Sequence, residues 1–451
     1  MRILIVSNLY PPFYKGGYEL RCAQVAEALH RQGHKVRVLA STYGLPASAL
    51  GNIQPRHEEI NGVHVYRYLN QYAFRPQPIY RPARLFRPRR ELRDGRLFLK
   101  LLSTFRPDVV NWWSMYGLPK TLLPLPRSYG IPDVHWIEHW WMIREYGPKG
   151  AKAAAFWADI WDGNWGPRIY RPVFSWVGTR WEKRFEKEGI PTRSFPNSPR
   201  HVCFVSEYLR TLYREAELEF PSSEVIYGGV PKERFYEPAR RQRDKSEPLR
   251  ILYAGQISPD RGLHTVVEAI GHIAPSLRSK IVLSVAGPNG SNYCMDIRAR
   301  IQALGIEACV SFLGRVPHEQ MPQVYKQHDV FVFPSTRPEG LPLTMVEAML
   351  AGCAVLTTGS GGAMEIATLA ELPVFPKGDS LALSGLLARI AVNREEVSDI
   401  AAHGQKVALR EFDFDRMMQR WNETLERLHN RFPPKEKSRP THRGACLRDQ
   451  A

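Results

Sequence analysis

Two glutamates, Glu339 and Glu347, stand around the start of one predicted helix in the stretch VFVFPSTRPEGLPLTMVEAMLAGCAVLTTGSGGAMEI, residues 330–366. Val330–Phe333 is wholly apolar and reads as a buried parallel strand that Pro334 ends. Pro342 suits a first helical turn, where its missing N–H does no harm. Leu343, Val346 and Leu350 then share one helical face, Gly352 sits where a helix stops, and Ala354–Thr357 reads as the next strand. The unit places a carboxylate in the loop at the carboxyl end of a strand, where ligands bind in open α/β sheets. Free N–H groups at the helix start favour an anion. A nucleotide sugar offers hydroxyls at both ends and a pyrophosphate between them. One acid can hold sugar hydroxyls, the other ribose hydroxyls, and the helix start the phosphates. The plain alternative is two solvated acids, each worth about 0.3–1 kcal/mol through the helix dipole.

The elements that must position these groups follow from length and pattern. At 451 residues the chain exceeds one ordinary core and predicts two domains. Strands are expected at Arg2–Asn8, Val36–Ala40, Val63–Arg67, Val109–Asn111, Ile131–Ile137 and His201–Ser206. Helices are expected at Tyr18–His30, Leu92–Phe105 and Glu207–Glu217. From Trp136 to Trp181 the pattern breaks down, and eight of the eleven tryptophans fall there. Val225–Val230 reads as the crossing into a second domain, and RRQRDKSEP (240–248) as a surface loop. A second alternating series follows: strand Leu249–Ala254, helix Leu263–Ile273, strand Ile281–Ala286, helix Tyr293–Leu304, strand Val310–Leu313, helix Glu319–Gln327. Alternation of this kind means α/β domains with parallel sheets.

Composition excludes several classes. No apolar run approaches the ~20 residues of a membrane helix, and MRILIVSN reads as a first strand, not a signal peptide. The six cysteines show no ligand spacing, so reduced thiols and a cytoplasmic location are expected. No DxD or histidine cluster asks for a metal. The net charge of +17 is partly local: Arg75–Arg106 holds ten Arg or Lys against two acids, and the tail Arg431–Ala451 is basic. Such patches attract nucleic acid, anionic lipid or phosphorylated substrates, or simply solvate a surface, which is the expectation for the tail.

Several phrases in order resemble the retaining glycosyltransferases of family 4. They are GGYE (16–19), GHKV (33–36), RPDVV (106–110), FVSEYL (204–209), GQISPDRG (255–262), VAGPNG (285–290), FLGRVPHEQM (312–321), the two-glutamate phrase, and GSGGAMEI (359–366). The resemblance implies the GT-B fold: two Rossmann-like, doubly wound α/β domains facing across a cleft. The expected boundaries are 1–222 for acceptor binding and 223–410 for the nucleotide sugar. A helix at 411–430 would pack back on the first domain, and the tail 431–451 would be disordered.

The resemblance also implies roles. Gly16 and Gly17 at a helix start would let backbone N–H groups approach a phosphate or acceptor; the alternative is a tight turn without a ligand. Gly255 opens a loop that in the family usually carries an Arg next and a Lys five further on, both on the diphosphate. Here those positions hold Gln256, which loses a charge, and Arg261, which keeps one and adds a fork suited to phosphate. Glu339, with Gly340 and Leu341 beside it, would meet the transferred sugar, and Glu347 the ribose. His139 falls where relatives contact the donor sugar, or is a histidine packed among tryptophans. The usual following acid is Trp140, and Glu138 is a possible substitute. Gly361 and Gly362 precede Glu365 as the family's glycine pair does.

The catalytic set is therefore expected to be Glu339, His139 and Arg261, with no metal and no cofactor beyond the donor substrate. The partners expected are a nucleotide-sugar donor, a saccharide or lipid-linked acceptor in polysaccharide or glycolipid synthesis, and an anionic membrane surface met peripherally through Arg75–Arg106; no nucleic acid is expected. The competing readings are an epimerase or phosphorylase on the same fold, or a relative without catalysis that binds nucleic acid or membrane.

Overall fold

The computed structural model describes residues 1–43, 56–71, 83–146, 168–192, 199–237 and 247–433. Arg75, Arg81, Trp157, Trp161, Trp165, most of the 240–248 loop and the tail from 434 lie outside them. The chain forms two compact units. One comprises Met1–Phe204, Thr211–Glu224 and the chain from Arg420; the other comprises Val205–Arg210 and Val225–Gln419.

The N-terminal unit is built on an eight-stranded sheet. Its strands are β1 (Arg2–Val6), β2 (Lys35–Ser41), β3 (Arg56–Ile60), β4 (Val63–Leu69), β5 (Val109–Trp112), β6 (Asp133–Ile137), β7 (His201–Phe204) and β8 (Ser223–Val225), in the order β3-β4-β2-β1-β5-β6-β7-β8. β1 lies between β2 and β5, parallel to both. β3 and the short edge strand β8 are the two that the apolar pattern does not announce. RHEEI has no apolar alternation, and it is a strand because Asn61 (φ 48°) and Gly62 (φ 80°) form a tight hairpin that folds it antiparallel onto β4. An edge position tolerates its charges.

The helix before β5 runs Ala83–Phe105, longer than the apolar pattern shows, and includes Pro88. Its two acids, Glu91 and Asp94, are buried. Burial pushes the Asp94 carboxyl up to about 8, against hydrogen bonds from Asn70. Glu91 pairs with Arg87, and Arg96 pairs with Glu188. Part of the positive charge in this segment is thus neutralised, while Arg89 and Arg90 are exposed.

The tryptophan-rich region is helical at Trp141–Tyr146 and Arg171–Lys187. Trp112, Trp113, Trp136 and Trp141 are core residues. Trp136 stacks on Trp113 at 5.5 Å between centroids and meets Trp421 edge-on at 4.9 Å.

The C-terminal unit holds β9 (Leu249–Ala254), β10 (Ile281–Ala286), β11 (Val310–Gly314), β12 (Val330–Phe333) and β13 (Ala354–Thr357), all parallel in the order β11-β10-β9-β12-β13. Alternate residues feed opposite faces. Val330 and Val332 join one core with the helices Leu263–His272, Asn292–Ala303 and Ser380–Val392. Phe331 and Phe333 join the other, with Leu343–Leu350, Gly362–Leu369 and Arg394–Glu411. Burial on both faces is why these strands read as continuous apolar runs. Strand order reverses between β9 and β12, and in open α/β sheets ligands bind outside the carboxyl ends of the strands at such a point.

Among the described residues, His201, Cys203 and Glu224 bring three metal-capable atoms within 4.8 Å. Glu224 is already a hydrogen-bond acceptor for His201 Nε2 at 2.8 Å, Thr424 Oγ1 at 2.8 Å and the Arg427 guanidinium. The adjacent guanidinium disfavours a cation there. Burial alone would raise the Glu224 carboxyl, but hydrogen bonds from His201 and Thr424 and the charge on Arg427 bring it down to about 2. A depressed folded value means stability that is present above the unfolded value near 4.3 and lost as pH falls toward 2. Glu224→Gln is expected to lower unfolding free energy by on the order of 2–3 kcal/mol at neutral pH. Urea melts of the two proteins should converge as pH falls from 5 toward 2; a gap that persisted in acid would remove Glu224 as an anchor of residues 424–427.

Candidate functional site

In the C-terminal unit the loop from Pro334 to Pro342 is fixed mainly by backbone contacts. The carbonyl of Asp260 accepts the N–H groups of Thr336 at 3.1 Å and Arg337 at 3.3 Å, and the Thr336 hydroxyl at 3.2 Å. Gly362 N–H donates to Glu339 O at 2.7 Å, and the Ser206 hydroxyl donates to Gly340 O at 2.6 Å. Two glycines allow this approach. A Cβ on Gly262 (φ 73°) would strike Pro334 O, and one on Gly362 would strike Gly340 O. Gly361 and Gly362 thus serve the loop that bears Glu339. Glu365, three residues on, accepts the N–H groups of Glu207 at 2.9 Å and Tyr208 at 3.1 Å.

Arg261 and Glu339 form an ion pair, each side chain about a quarter exposed (25% and 23%). Arg337 faces Asp260 at 3.5 Å, so two crossed cation–carboxylate pairs tie the loops after β9 and β12. Burial lowers the Arg261 guanidinium's affinity for its proton, and the neighbouring Arg337 adds to the effect. Gly255 donates to Ala286 O at 2.9 Å and has its amide at the end of β9. Gln256 is exposed, and its carbonyl accepts the Tyr253 hydroxyl at 2.7 Å. Leu341 packs partly against the core. Pro342 is the N-cap of the helix Leu343–Leu350, one position earlier than expected, and supplies no side-chain cap.

Glu347 lies in the second turn of that helix and is almost buried, at 7% exposure. Its Oε2 accepts the Tyr325 hydroxyl at 3.0 Å, and its Oε1 lies 3.1 Å from His318 Nε2. Sequence reasoning passed over His318 and Tyr325. His318 stands in the FLGRVPHEQM phrase, but nothing in spacing links it to an acid 29 residues on. A carboxylate has about four lone-pair sites, so these two bonds leave acceptor capacity on each oxygen.

The N-terminal unit gathers Gly16, Gly17 and His139. Gly16 caps the helix Gly17–Arg31, and its N–H donates to the Glu19 carboxylate at 3.0 Å. Nothing lies within 4 Å of where a Cβ would stand on Gly16 or Gly17, leaving open space at this helix start. Tyr18 joins it to His139, meeting the imidazole edge-on at 5.1 Å, while its hydroxyl donates to Trp136 O at 2.5 Å. His139 Nδ1 accepts the Trp141 N–H at 3.1 Å, which in the neutral ring puts the proton on Nε2, 3.4 Å from Ser114 Oγ. Glu138 is not a free acid beside it. Its carboxylate pairs with buried Arg21 at 3.1 Å and accepts Trp136 Nε1–H at 2.8 Å. Burial raises its affinity for a proton, partly offset by Arg21.

The two α/β units are those of the GT-B glycosyltransferases. Residues 15–234 match the Glycosyltransferase Family 4 model and residues 236–407 the Glycosyl transferases group 1 model. Between them the two models span most of the chain, and it belongs to these glycosyltransferases. It is 25% identical over 400 residues to an uncharacterized glycosyltransferase of Methanocaldococcus jannaschii, covering 85% of this chain and 87% of that one. It is 27% identical over 230 residues to a GDP-mannose-dependent alpha-(1-6)-phosphatidylinositol monomannoside mannosyltransferase of Mycobacterium tuberculosis, covering 48% of this chain and 58% of that one. In fold it is similar to sucrose-phosphate synthase from Thermosynechococcus elongatus, with a TM-score of 0.68, 16% identity, and coverage of 95% and 99%.

The bond from Tyr325 to Glu347 sets a stability expectation. Tyr325→Phe removes the donor from a buried carboxylate and should cost about 1–3 kcal/mol. A thermal melt of the variant matching the wild type would show that Glu347 does not depend on it.

Proposed function

We propose that the chain moves a sugar from a nucleoside-diphosphate sugar to an acceptor hydroxyl, with retention of the anomeric configuration, in polysaccharide or glycolipid synthesis. The observation that carries this reading is the Arg261–Glu339 pair at the point where strand order reverses. A departing diphosphate gains negative charge while the sugar becomes cationic. Arg261 is a fixed charge for the former. When a diphosphate takes Arg261, Glu339 is released to accept sugar hydroxyls. Glu347 holds the ribose, with its carboxylate oriented by Tyr325 and His318. His139 Nε2–H donates to the donor sugar, and Gly16 and Gly17 give backbone N–H groups to a phosphate or acceptor. Gly255, Gln256, Gly340 and Leu341 line the donor loops. Neither glutamate acts as a nucleophile in this scheme, and the cationic side chains do the work a metal would otherwise do. The named activity of the mycobacterial relative supports a glycolipid acceptor.

Chromatography of UDP-, GDP- and ADP-sugars incubated with the protein should reveal slow hydrolysis of one donor class. Glu339→Ala should reduce turnover by roughly 10²-fold or more. Unchanged turnover would remove Glu339 from the site, and an inverted anomer in the NMR spectrum of the product would overturn retention.

Arg337 supplies the positive charge that Gln256 lacks, and Asp260 restrains it. Substitutions at the two ends of this pair should then act with opposite signs. Arg337→Gln is expected to raise the donor KM about tenfold, the loss of one charge-assisted hydrogen bond. Asp260→Asn should lower it. If both variants raise KM alike, the pair only braces the loop.

A further inference from the structure

The helix Arg171–Lys187 buries Gly178 and Phe185 and presents its opposite side to solvent. At about 100° per residue, positions 169, 173, 176, 180, 183, 184 and 187 fall on that one side. Its first half is apolar: Ile169 is 80% exposed, Val173 57% and Trp176 60%, with Tyr170 beside them at 56%. These make up four of the eleven exposed large hydrophobic residues among the described ones, gathered within eight positions. Its second half is basic, with Arg180, Lys183, Arg184 and Lys187 all exposed. The Arg180 guanidinium lies over the Trp176 ring at 4.8 Å, joining the two halves. The acids of the helix, Glu182 and Glu186, point toward the Thr192 hydroxyl at 3.3 and 3.5 Å.

A merely solvated face would not hold a tryptophan, a tyrosine and two β-branched side chains in water. A polynucleotide would use the basic half and leave the apolar half unmatched. An anionic bilayer matches both. Tyr and Trp settle at the headgroup level, apolar side chains enter the acyl boundary, and Lys and Arg stems reach lipid phosphates. No helix among the described residues is long and apolar enough to cross a membrane, so such contact lies along the surface.

We propose that the exposed face from Ile169 to Lys187 docks on an anionic lipid surface. The proposal moves the membrane contact away from Arg75–Arg106, where Glu91 pairs with Arg87 and Glu188 with Arg96. It is independent of the transfer reaction. If that reaction stands, docking brings the enzyme to a lipid-linked acceptor.

The full chain would be sedimented at low salt with vesicles of phosphatidylcholine alone and of phosphatidylcholine mixed with phosphatidylglycerol. Binding is expected only to the mixed vesicles. It should fall at least about tenfold in Val173→Glu/Trp176→Glu and again in Arg180→Glu/Lys183→Glu. Arg89→Ala/Arg90→Ala should bind like wild type. Every substituted side chain is exposed, and unchanged thermal melts would confirm folding. Equal binding to neutral vesicles, no effect of the helix variants, or loss only in the Arg89/Arg90 variant would overturn the proposal. Docking without donor turnover would leave it standing while removing the transferase reading.

Discussion

The C-terminal site depends on one constraint: the loop after β12 must lie flat against two neighbouring backbones. Asp260 O on one side and Gly362 N–H on the other hold it through main-chain atoms. Side chains are therefore spared for chemistry. Gly262 and Gly362 are needed because any Cβ would push the loop away from its anchors. With the backbone fixed, Arg261, Arg337 and Glu339 project from positions that their own charges do not have to maintain. Preorganisation of this kind is what makes fixed charges effective on a developing anion.

Much of this unit was legible in the sequence. The strands Leu249–Ala254, Ile281–Ala286, Val330–Phe333 and Ala354–Thr357 coincide with the apolar runs that announced them. Burial on both faces makes each a continuous apolar run, and helices separate them. Contacts that depend on tertiary approach were not legible. His318 and Tyr325 reach Glu347 from another helix region, Arg21 reaches Glu138 from the first helix, and Asp260 reaches Arg337 across 77 residues. No spacing rule encodes such pairs. β3 escaped for a different reason: a polar edge strand is specified by its turn and not by its side chains.

The tryptophans show why composition alone misleads. Eight of the eleven lie within Trp136–Trp181, yet burial divides those that the structure describes. Trp136 and Trp141 close the N-terminal core, where Trp136 has Trp113 and Trp421 as ring partners. Trp176 stands on an exposed helix face with a guanidinium over its ring. A large aromatic residue has the same hydrophobic driving force in both places. What differs is whether neighbouring elements supply the apolar surface that covers it.

The same division applies to charge. A net charge of +17 says little about where an anion will bind. In the helix Ala83–Phe105 the acids turn inward, and the cations Arg87 and Arg96 each have a carboxylate. In the helix Arg171–Lys187 the acids turn to Thr192, and the cations follow an exposed apolar stretch in register along one side. Density of basic residues therefore identifies the first segment, but register identifies the second. Long-range attraction falls off within about 8 Å at physiological salt, whereas burial of apolar side chains persists. A surface that combines the two in one helical face keeps its hold when salt screens the other.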